Sequence, residues 1–509
     1  MTRPATVYLV GAGPGDPSLM TLRGAELLRQ ADVVIYDRLA NPELLRGAAP
    51  TAELIYGGKH GPEPVLPQAE LNALMIAKAR AGKRVVRLKG GDPYMFGRGG
   101  EEAQELQRAG IGFEVVPGVS SVEAVPNYAG IPLTHRELAS VLTVVTGHED
   151  PDKECARVDW GAVARAGGTL VVMMGMKRLR QIAEMLVAHG RPAATPAAVI
   201  RWGTLGRQQV LSGTLGDIAG QAEERGWTSP ALIVVGEVVR LRGQLNWFER
   251  RPLFGRRVVV TRARAQAAEL AGPLRERGAE VLEVPAIRIG APAAAAPIAE
   301  ALAGLNAYDW IVYTSANGVD AFFQRFFARF HDMRDIGGVR IAAVGPGTAA
   351  RLRQLHLQVD VMPEQNLGRS IVQALAKFES LDNLRILLPR AEQANPDLPR
   401  LLEEKGAIVD DIAFYRTEPD LEDGPDADRL EEEGADWITF TSGSTAEHFH
   451  RRFDLRALCD RFPRMRLASI GPETSKALAA LGVSAHAQAD PHTVEGLIDA
   501  LVRDQSQVK

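Results

Sequence analysis

The densest chemistry in the chain lies in Arg87-Leu88-Lys89-Gly90-Gly91-Asp92-Pro93-Tyr94-Met95-Phe96-Gly97-Arg98-Gly99-Gly100-Glu101. It follows the apolar pair Val85-Val86 and precedes helical character from Glu101 to Ala109, so a strand passes into a helix through a glycine-rich crossing. Glycines let main-chain amides approach a ligand closely because no Cβ stands in the way. Ligands of α/β sheets bind outside the carboxyl ends of strands, so this stretch reads as a backbone cradle. A second such loop, Gly11-Ala12-Gly13-Pro14-Gly15-Asp16-Pro17, closes the strand Val7–Val10 and leads into helical spacing from Leu19 to Gln30. Val33–Tyr36 is the next strand, with Asp37 at its carboxyl end. Glycines, a helix and an acidic residue about twenty positions on imitate a dinucleotide-binding unit. The imitation is imperfect: the third glycine comes one place early, and Pro14 and Pro17 take away amide donors. Such a loop makes a poor phosphate cradle and a better wall for an uncharged part of a ligand.

The elements that hold these loops alternate between strand and helix. Gly57-Gly58-Lys59-His60, a helix over Glu70–Ala81, Val115–Ser121, Ala129–Arg136 and Val144–His148 follow in order, and Thr169–Met176, Ala197–Thr204 and Ser229–Val239 form a second block. Two α/β lobes with a cleft between them are predicted. Gln244–Gly255 has neither sheet nor helix period and reads as a linker. After it the chain repeats itself. Trp310-Ile311-Val312-Tyr313-Thr314-Ser315 returns as Trp437-Ile438-Thr439-Phe440-Thr441-Ser442, Arg340–Pro346 as Arg466–Pro472, and Val260-Thr261-Arg262 as Leu388-Pro389-Arg390. Such self-similarity predicts two copies of one βα unit, each a small parallel sheet with helices on both faces.

Composition narrows the function classes. A net charge of -4 gives no sign of bulk nucleic acid or an acidic membrane as partner. The two cysteines, Cys155 and Cys459, sit in different halves without metal or disulfide spacing. No apolar run is long enough to span a bilayer, and the chain enters its first strand without a secretory leader. The expectation is a cytoplasmic protein with no metal, membrane or nucleic-acid partner.

Val7–Pro17, Arg87–Glu102, Val115–Ser121, Ala129–Arg136, Met174-Gly175 and Ser229–Glu237 together resemble the tetrapyrrole methylase family, specifically its uroporphyrinogen-III C-methyltransferases. The resemblance implies methyl transfer from S-adenosylmethionine to two ring carbons of uroporphyrinogen III, giving precorrin-2 and S-adenosylhomocysteine. It carries cofactor contacts onto Pro14, Gly90, Gly91, Asp92, Met95, Ser120, Ser121, Met174 and Gly203, a proton acceptor onto Asp37 and a donor onto Lys59. A substrate with an acetate and a propionate on every pyrrole requires cations, for which Arg38, His60, Arg98, His135, Arg136 and His148 stand in or beside the motif loops. The family also implies a homodimer formed through this half.

Residues 254–503 resemble uroporphyrinogen-III synthase through the repeat, Thr314-Ser315-Ala316-Asn317-Gly318, Gly345-Pro346 and Tyr415-Arg416-Thr417. The resemblance implies two flavodoxin-like domains, one discontinuous, that close on hydroxymethylbilane and cyclise it with inversion of the last pyrrole. Tyr415 then stands where a phenol donates to the departing hydroxyl, and Thr261, Arg262, Ser315, Asn317, Thr441 and Ser442 are candidate substrate contacts. The implied division is a methyltransferase at 1–243, a linker at 244–255 and a synthase at 256–509, the latter split into 256–287 with 418–509 and 288–417. The sequence reads as a bifunctional enzyme of the sirohaem and cobalamin branch. A methylase of a later corrinoid joined to a non-catalytic ligand-binding half, and a nicotinamide-dependent oxidoreductase, are the alternatives.

Overall fold

The structure, a computed structural model, describes residues 6–58, 66–148, 158–364, 368–422 and 424–507. The chain separates into two compact units, Met1–Arg256 with Arg277–Glu280, and Arg257–Glu276 with Val281–Lys509.

The first lobe of the first unit is a parallel sheet of β1 (Thr6–Gly11), β2 (Val33–Tyr36), β3 (Glu53–Tyr56), β4 (Val85–Lys89) and β5 (Gly112–Val116), in the order β3-β2-β4-β1-β5. Its central strands are near-continuous apolar runs because both faces are covered. Val7, Leu9, Ile35 and Val85 pack with the helices Gln68–Arg80 and Gly99–Arg108, and Val10, Val34, Val86 and Leu88 pack with Leu27 and Leu28. Since every strand runs the same way, the loops after β1, β2, β4 and β5 emerge at one edge.

The second lobe carries β6 (Leu142–Thr146), β7 (Thr169–Met173), β8 (Pro196–Arg201), β9 (Gln209–Thr214) and β10 (Ala231–Val235), in the order β6-β7-β10-β8-β9. This sheet is mixed: β6 and β7 are parallel, while β10 runs against β7 and β8, and β9 against β8. Helix Ser121–Tyr128, which follows β5, packs Val122 and Val125 against Val171, Ala198 and Leu232 of this sheet, tying the lobes together.

The second unit opens with β11 (Arg257–Val260) and β12 (Glu280–Glu283), continues with β13 (Ile287–Gly290), β14 (Trp310–Tyr313), β15 (Arg340–Ala343), β16 (Arg385–Ala391) and β17 (Ile408–Pro419), and closes with β18 (Trp437–Phe440), β19 (Arg466–Ser469) and β20 (Ala487–Gln488). The outer segments share one sheet, β12-β11-β18-β19-β20, and the middle block makes the other, β13-β17-β16-β14-β15. The middle sheet is parallel except for its edge strand β13, which runs against β17, so it departs from the all-parallel expectation.

The repeat is three-dimensional. Trp310 faces Arg340 in register as Trp437 faces Arg466, and each guanidinium lies over its indole, 5.3 and 4.8 Å from the ring centre. Asp309 accepts from the Arg385 N–H as Asp436 does from that of Arg257, both at 2.8 Å. Among the described residues no helix is long and apolar enough to cross a membrane, and no acidic, His or Cys cluster of metal-binding kind occurs.

Two sequence readings need correcting. The helix expected over Leu19–Gln30 is a short 3-10 turn, Pro17–Leu19, capped by Asp16, and then an α-helix, Leu22–Arg29, capped by Thr21. Pro17 opens the 3-10 turn, and Met20 and Thr21 then stay extended, so the α-helix starts later than the apolar spacing indicates. The 244–255 segment, expected as a linker, is a packed part of the first unit. Phe248 and Leu253 are 2% and 0% exposed, and Trp247 and Phe248 meet Tyr128 with ring centres 5.0 and 4.8 Å apart. The segment turns too often for a period to develop, which hid its burial.

Candidate functional site

The two glycine loops meet. Ala12 N–H donates to the Lys89 carbonyl at 2.7 Å, and Gly13 and Gly91 exchange N–H···O bonds of 3.2 and 2.7 Å. Gly118, after β5, closes the group: a Cβ there would lie 2.3 Å from the Gly91 oxygen and 2.7 Å from the Gly11 Cα, and one at Gly11 would lie 2.5 Å from Gly118. No side chain fits at either position. Gly91 is different, for it adopts φ +69°, and the space a Cβ would enter is open, with only the Ser121 N within 4 Å, at 3.9 Å. The space beside the Gly91 Cα, on the side of the Ser121 N, is therefore open.

Asp92 builds its walls. One carboxylate oxygen accepts from the N–H groups of Tyr94 at 2.8 Å and Met95 at 3.1 Å, and the other from Gly118 N–H at 3.1 Å. Ser120 caps helix Ser121–Tyr128 by accepting from Val122 N–H at 3.2 Å. Across the lobes, Asp16 N–H donates to Thr204 Oγ1 at 3.0 Å and Tyr128 OH donates to Asp16 Oδ2 at 2.9 Å. Burial and then Asp16 push the Tyr128 phenol well above its ordinary range, so it is a permanent donor. Pro14 is half-buried in the same loop, and Met174 ends β7 with a 44% exposed side chain. Gly203 is buried, since a Cβ would sit 2.5 Å from Val125.

Backbone strain is concentrated here. Among the described residues of this unit, five non-glycine residues have positive φ, namely Phe96, Arg98, Met174, Trp202 and Thr204. Left-handed conformations cost such residues about 1–2 kcal/mol each and cluster at ligand sites. All five stand in the loops after β4, β7 and β8.

Beneath the loops lies a buried charge network. Arg87 and Lys89 are both 3% exposed and point from β4 to the same face. Arg87 Nη2 reaches Asp37 Oδ1 at 2.5 Å and its Nε reaches Glu102 Oε1 at 3.3 Å, while Lys89 Nζ holds the same Glu102 oxygen at 2.9 Å. Burial and, after it, Arg87 hold the Lys89 ammonium below the usual lysine range, against the pull of Glu102. Glu102 Oε2 is buried without a partner among the described residues. Two cations thus balance two carboxylates, and removing one partner of a buried pair costs about 3–5 kcal/mol. Asp37 is the exposed end of this network, with 31% of its side chain accessible.

In the second unit Tyr415 is 6% exposed, and its OH lies 3.0 Å from Ser315 Oγ. Ser315 caps helix Ala316–Arg329 by accepting from Gly318 N–H at 3.0 Å. Burial raises the Tyr415 phenol, so it is neutral at physiological pH. Asn317 accepts from Gln266, whose other amide atom, Oε1, meets Arg262. Ser442 caps helix Gly443–Phe453 as Ser315 caps its counterpart. Thr261 is fully buried and its hydroxyl donates to the Thr439 carbonyl at 2.7 Å, which braces the end of β11 against β18.

Comparison with known proteins places both halves. The family model for tetrapyrrole (corrin/porphyrin) methylases matches residues 6–219, and that for uroporphyrinogen-III synthase HemD matches residues 268–499. The porphyrin biosynthesis protein HemD of Ruminiclostridium josui is 36% identical over 503 residues, 97% of each chain. The chain belongs to the family that joins these two domains. The uroporphyrinogen-III C-methyltransferase of Bacillus subtilis (strain 168) is 40% identical over 380 residues, 74% of this chain and 78% of that protein. An S-adenosyl-L-methionine-dependent uroporphyrinogen III methyltransferase of Methanosarcina barkeri is 53% identical over 240 residues, 47% of this chain and 94% of that one.

Membership of this family removes the dinucleotide reading of the first loop, and the geometry gives the reason: the α-helix begins only at Leu22, and Asp37 holds Arg87. The methylase half brings Gly91, Asp92, Ser120 and Ser121 together at the ends of β4 and β5. Lys59 and His60 lie outside the described residues. Of the expected cations, Arg98 is taken by Glu101 at 2.6 Å, Arg38, Arg136 and His148 are exposed on loops, and His135 is half-buried, with Nδ1 accepting from Glu137 N–H at 3.3 Å. Sequence reasoning missed Arg87, Lys89 and Glu102 as a group, although two charged residues at alternate positions of the apolar strand Val-Val-Arg-Leu-Lys were a signal.

Proposed function

We propose that the chain cyclises hydroxymethylbilane to uroporphyrinogen III in its second unit and methylates that product at two ring carbons in its first, giving precorrin-2 for the sirohaem and cobalamin branch. The observation that carries the methyl-transfer reading is the close Gly11–Gly91–Gly118 approach of main chain, with open space beside the left-handed Gly91 next to the Ser121 N. Such a main-chain setting suits adenosylmethionine, which has no phosphate and offers polar edges to backbone groups. Pro14, Gly90, Gly91, Asp92, Met95, Ser120, Ser121 and Met174 hold it, with Gly203 admitting the helix behind. When bound, this group supplies an electrophilic methyl on a sulfonium. The chain then supplies placement and proton handling. Asp37, fixed by Arg87, accepts the proton that the macrocycle loses from another position once the methylated carbon, which carries no hydrogen, has become quaternary, with Lys59 as donor, and Arg38, His60, Arg98, His135, Arg136 and His148 are the cations for the substrate's carboxylates.

In the second unit Tyr415 donates to the departing hydroxyl, with Ser315 holding the phenol in place. Arg262, Ser315, Asn317, Thr441 and Ser442 are the candidate contacts. The test supplies each substrate separately. Uroporphyrinogen III with labelled adenosylmethionine should yield the dimethylated ring, and hydroxymethylbilane alone should yield the inverted isomer. Label in neither ring carbon, or only the uninverted isomer, refutes the corresponding half.

A further inference from the structure

Glu249 stands outside both family-model matches, in the segment that sequence pattern read as a linker. It is nevertheless a hub. Its Oε1 accepts from Gln208 Nε2 at 3.1 Å, and its Oε2 from Arg242 Nη2 at 2.7 Å and Asn246 Nδ2 at 3.0 Å. Gln208, 4% exposed, also donates to the Tyr128 carbonyl at 3.2 Å, and through Oε1 accepts from Thr204 N–H at 3.0 Å. Thr204 is 2% exposed, adopts φ +70°, and presents Oγ1 to the Asp16 N–H. Tyr128 OH binds the Asp16 carboxylate, which closes the circuit. A strained residue persists only where its surroundings over-determine it. Here they do, through a chain of bonds that begins at Glu249 and ends in the loop carrying Pro14. Trp247 locks the segment down by donating Nε1–H to the Asn127 carbonyl at 3.1 Å.

We infer that Glu249, acting through Gln208 and with Tyr128 as the second arm, is a positioning residue of the methyl-donor site: it holds the Asp16 and Thr204 loops in the conformation that binds adenosylmethionine. This rests on the methyl-donor reading above. The segment is then part of the methyltransferase, and its loss damages donor binding rather than the chemical step.

The test uses the full chain, with calorimetric titration of S-adenosylhomocysteine and steady-state methylation. Glu249→Ala should raise the Kd for adenosylhomocysteine and the KM for adenosylmethionine roughly tenfold, the size expected for losing a buried charge-assisted bond. Its kcat and its KM for uroporphyrinogen III should stay at wild-type values. Glu249→Gln still accepts from Gln208 and should recover most of the affinity. Wild-type affinity in Glu249→Ala, a fall in kcat at constant KM, or a Gln variant as weak as the Ala variant overturns the inference. Should Glu249→Ala fail to fold, Tyr128→Phe, which deletes only the bond to Asp16, carries the same expected rise and the same refutation. A wild-type chain that binds no adenosylhomocysteine defeats the methyl-donor reading itself, an outcome seen before any variant is made.

Discussion

Replacing Asp92 separates two ways in which a carboxylate can serve a ligand site. Its two oxygens accept from three main-chain N–H groups and so join the loop after β4 to the loop after β5. A cap of this kind is worth about 1 kcal/mol, and a bond to an ionised acceptor up to about 3 kcal/mol. Three such bonds at a half-exposed residue stabilise the walls of the space beside Gly91 by about 2–3 kcal/mol. If the ligand binds only the ordered walls, Asp92→Ala weakens adenosylhomocysteine binding about 30- to 150-fold. Asp92→Asn keeps an acceptor oxygen but no charge, and should lose less than about tenfold. Isothermal titration on the intact chain reads both numbers, and the synthase activity of the same samples reports that the second unit is folded. Unchanged affinity in Asp92→Ala refutes the wall-building role. Equal losses in the Ala and Asn variants would mean that the charge itself meets the ligand.

Other positions give sharper contrasts. Gly118→Ala puts a Cβ 2.3 Å from the Gly91 oxygen, so it should lose more than about 3 kcal/mol of stability, whereas Gly91→Ala enters open space and costs only the left-handed backbone, about 1–2 kcal/mol. Similar melting of the two variants would refute the three-glycine contact. Tyr415→Phe should slow ring closure roughly tenfold to a thousandfold and raise the uninverted share of product, with methylation of supplied uroporphyrinogen III unaffected; a wild-type isomer ratio on chromatography removes the phenol from the mechanism. His448 has a buried Nδ1 without a partner among the described residues, and burial, then Arg451, hold its imidazole below the ordinary 6.5. Below pH 6.5 the unfolded chain therefore binds a proton that the folded chain resists, and stability falls as pH drops from 6.5. His448→Leu should flatten part of that fall in melts of the second unit at pH 7.5 and 5; an unchanged slope contradicts the assignment.

The strands that build both units were legible because buried parallel strands announce themselves as short apolar runs. Val33–Tyr36 stands where its pattern put it, and the pairs Trp310/Trp437 and Arg340/Arg466 declared the repeat before its register was known. The glycine loops were legible as crossings at strand ends, but not the division of labour among them. Gly118 is needed for space, Gly91 for its φ, and Asp92 for the amides it gathers, and both the crowding at Gly118 and the Asp92–Gly118 bond join residues 26 or more apart. Pattern also failed where burial has no period. Phe248, Leu253 and Glu249 are held by turns, an aromatic cluster and side-chain amides, none of which leaves a repeat in the sequence. The sequence also left no sign that the Thr261 hydroxyl is held by the neighbouring strand, since its partner Thr439 is 178 residues away.

The central claim is that one chain both makes and methylates the same macrocycle. Its most direct test is an anaerobic incubation of the purified chain with hydroxymethylbilane and S-adenosylmethionine, followed by identification of the tetrapyrrole formed. Precorrin-2, accompanied by adenosylhomocysteine, is the predicted product. Accumulation of unmethylated uroporphyrinogen III, or of the uninverted isomer alone, would contradict the account.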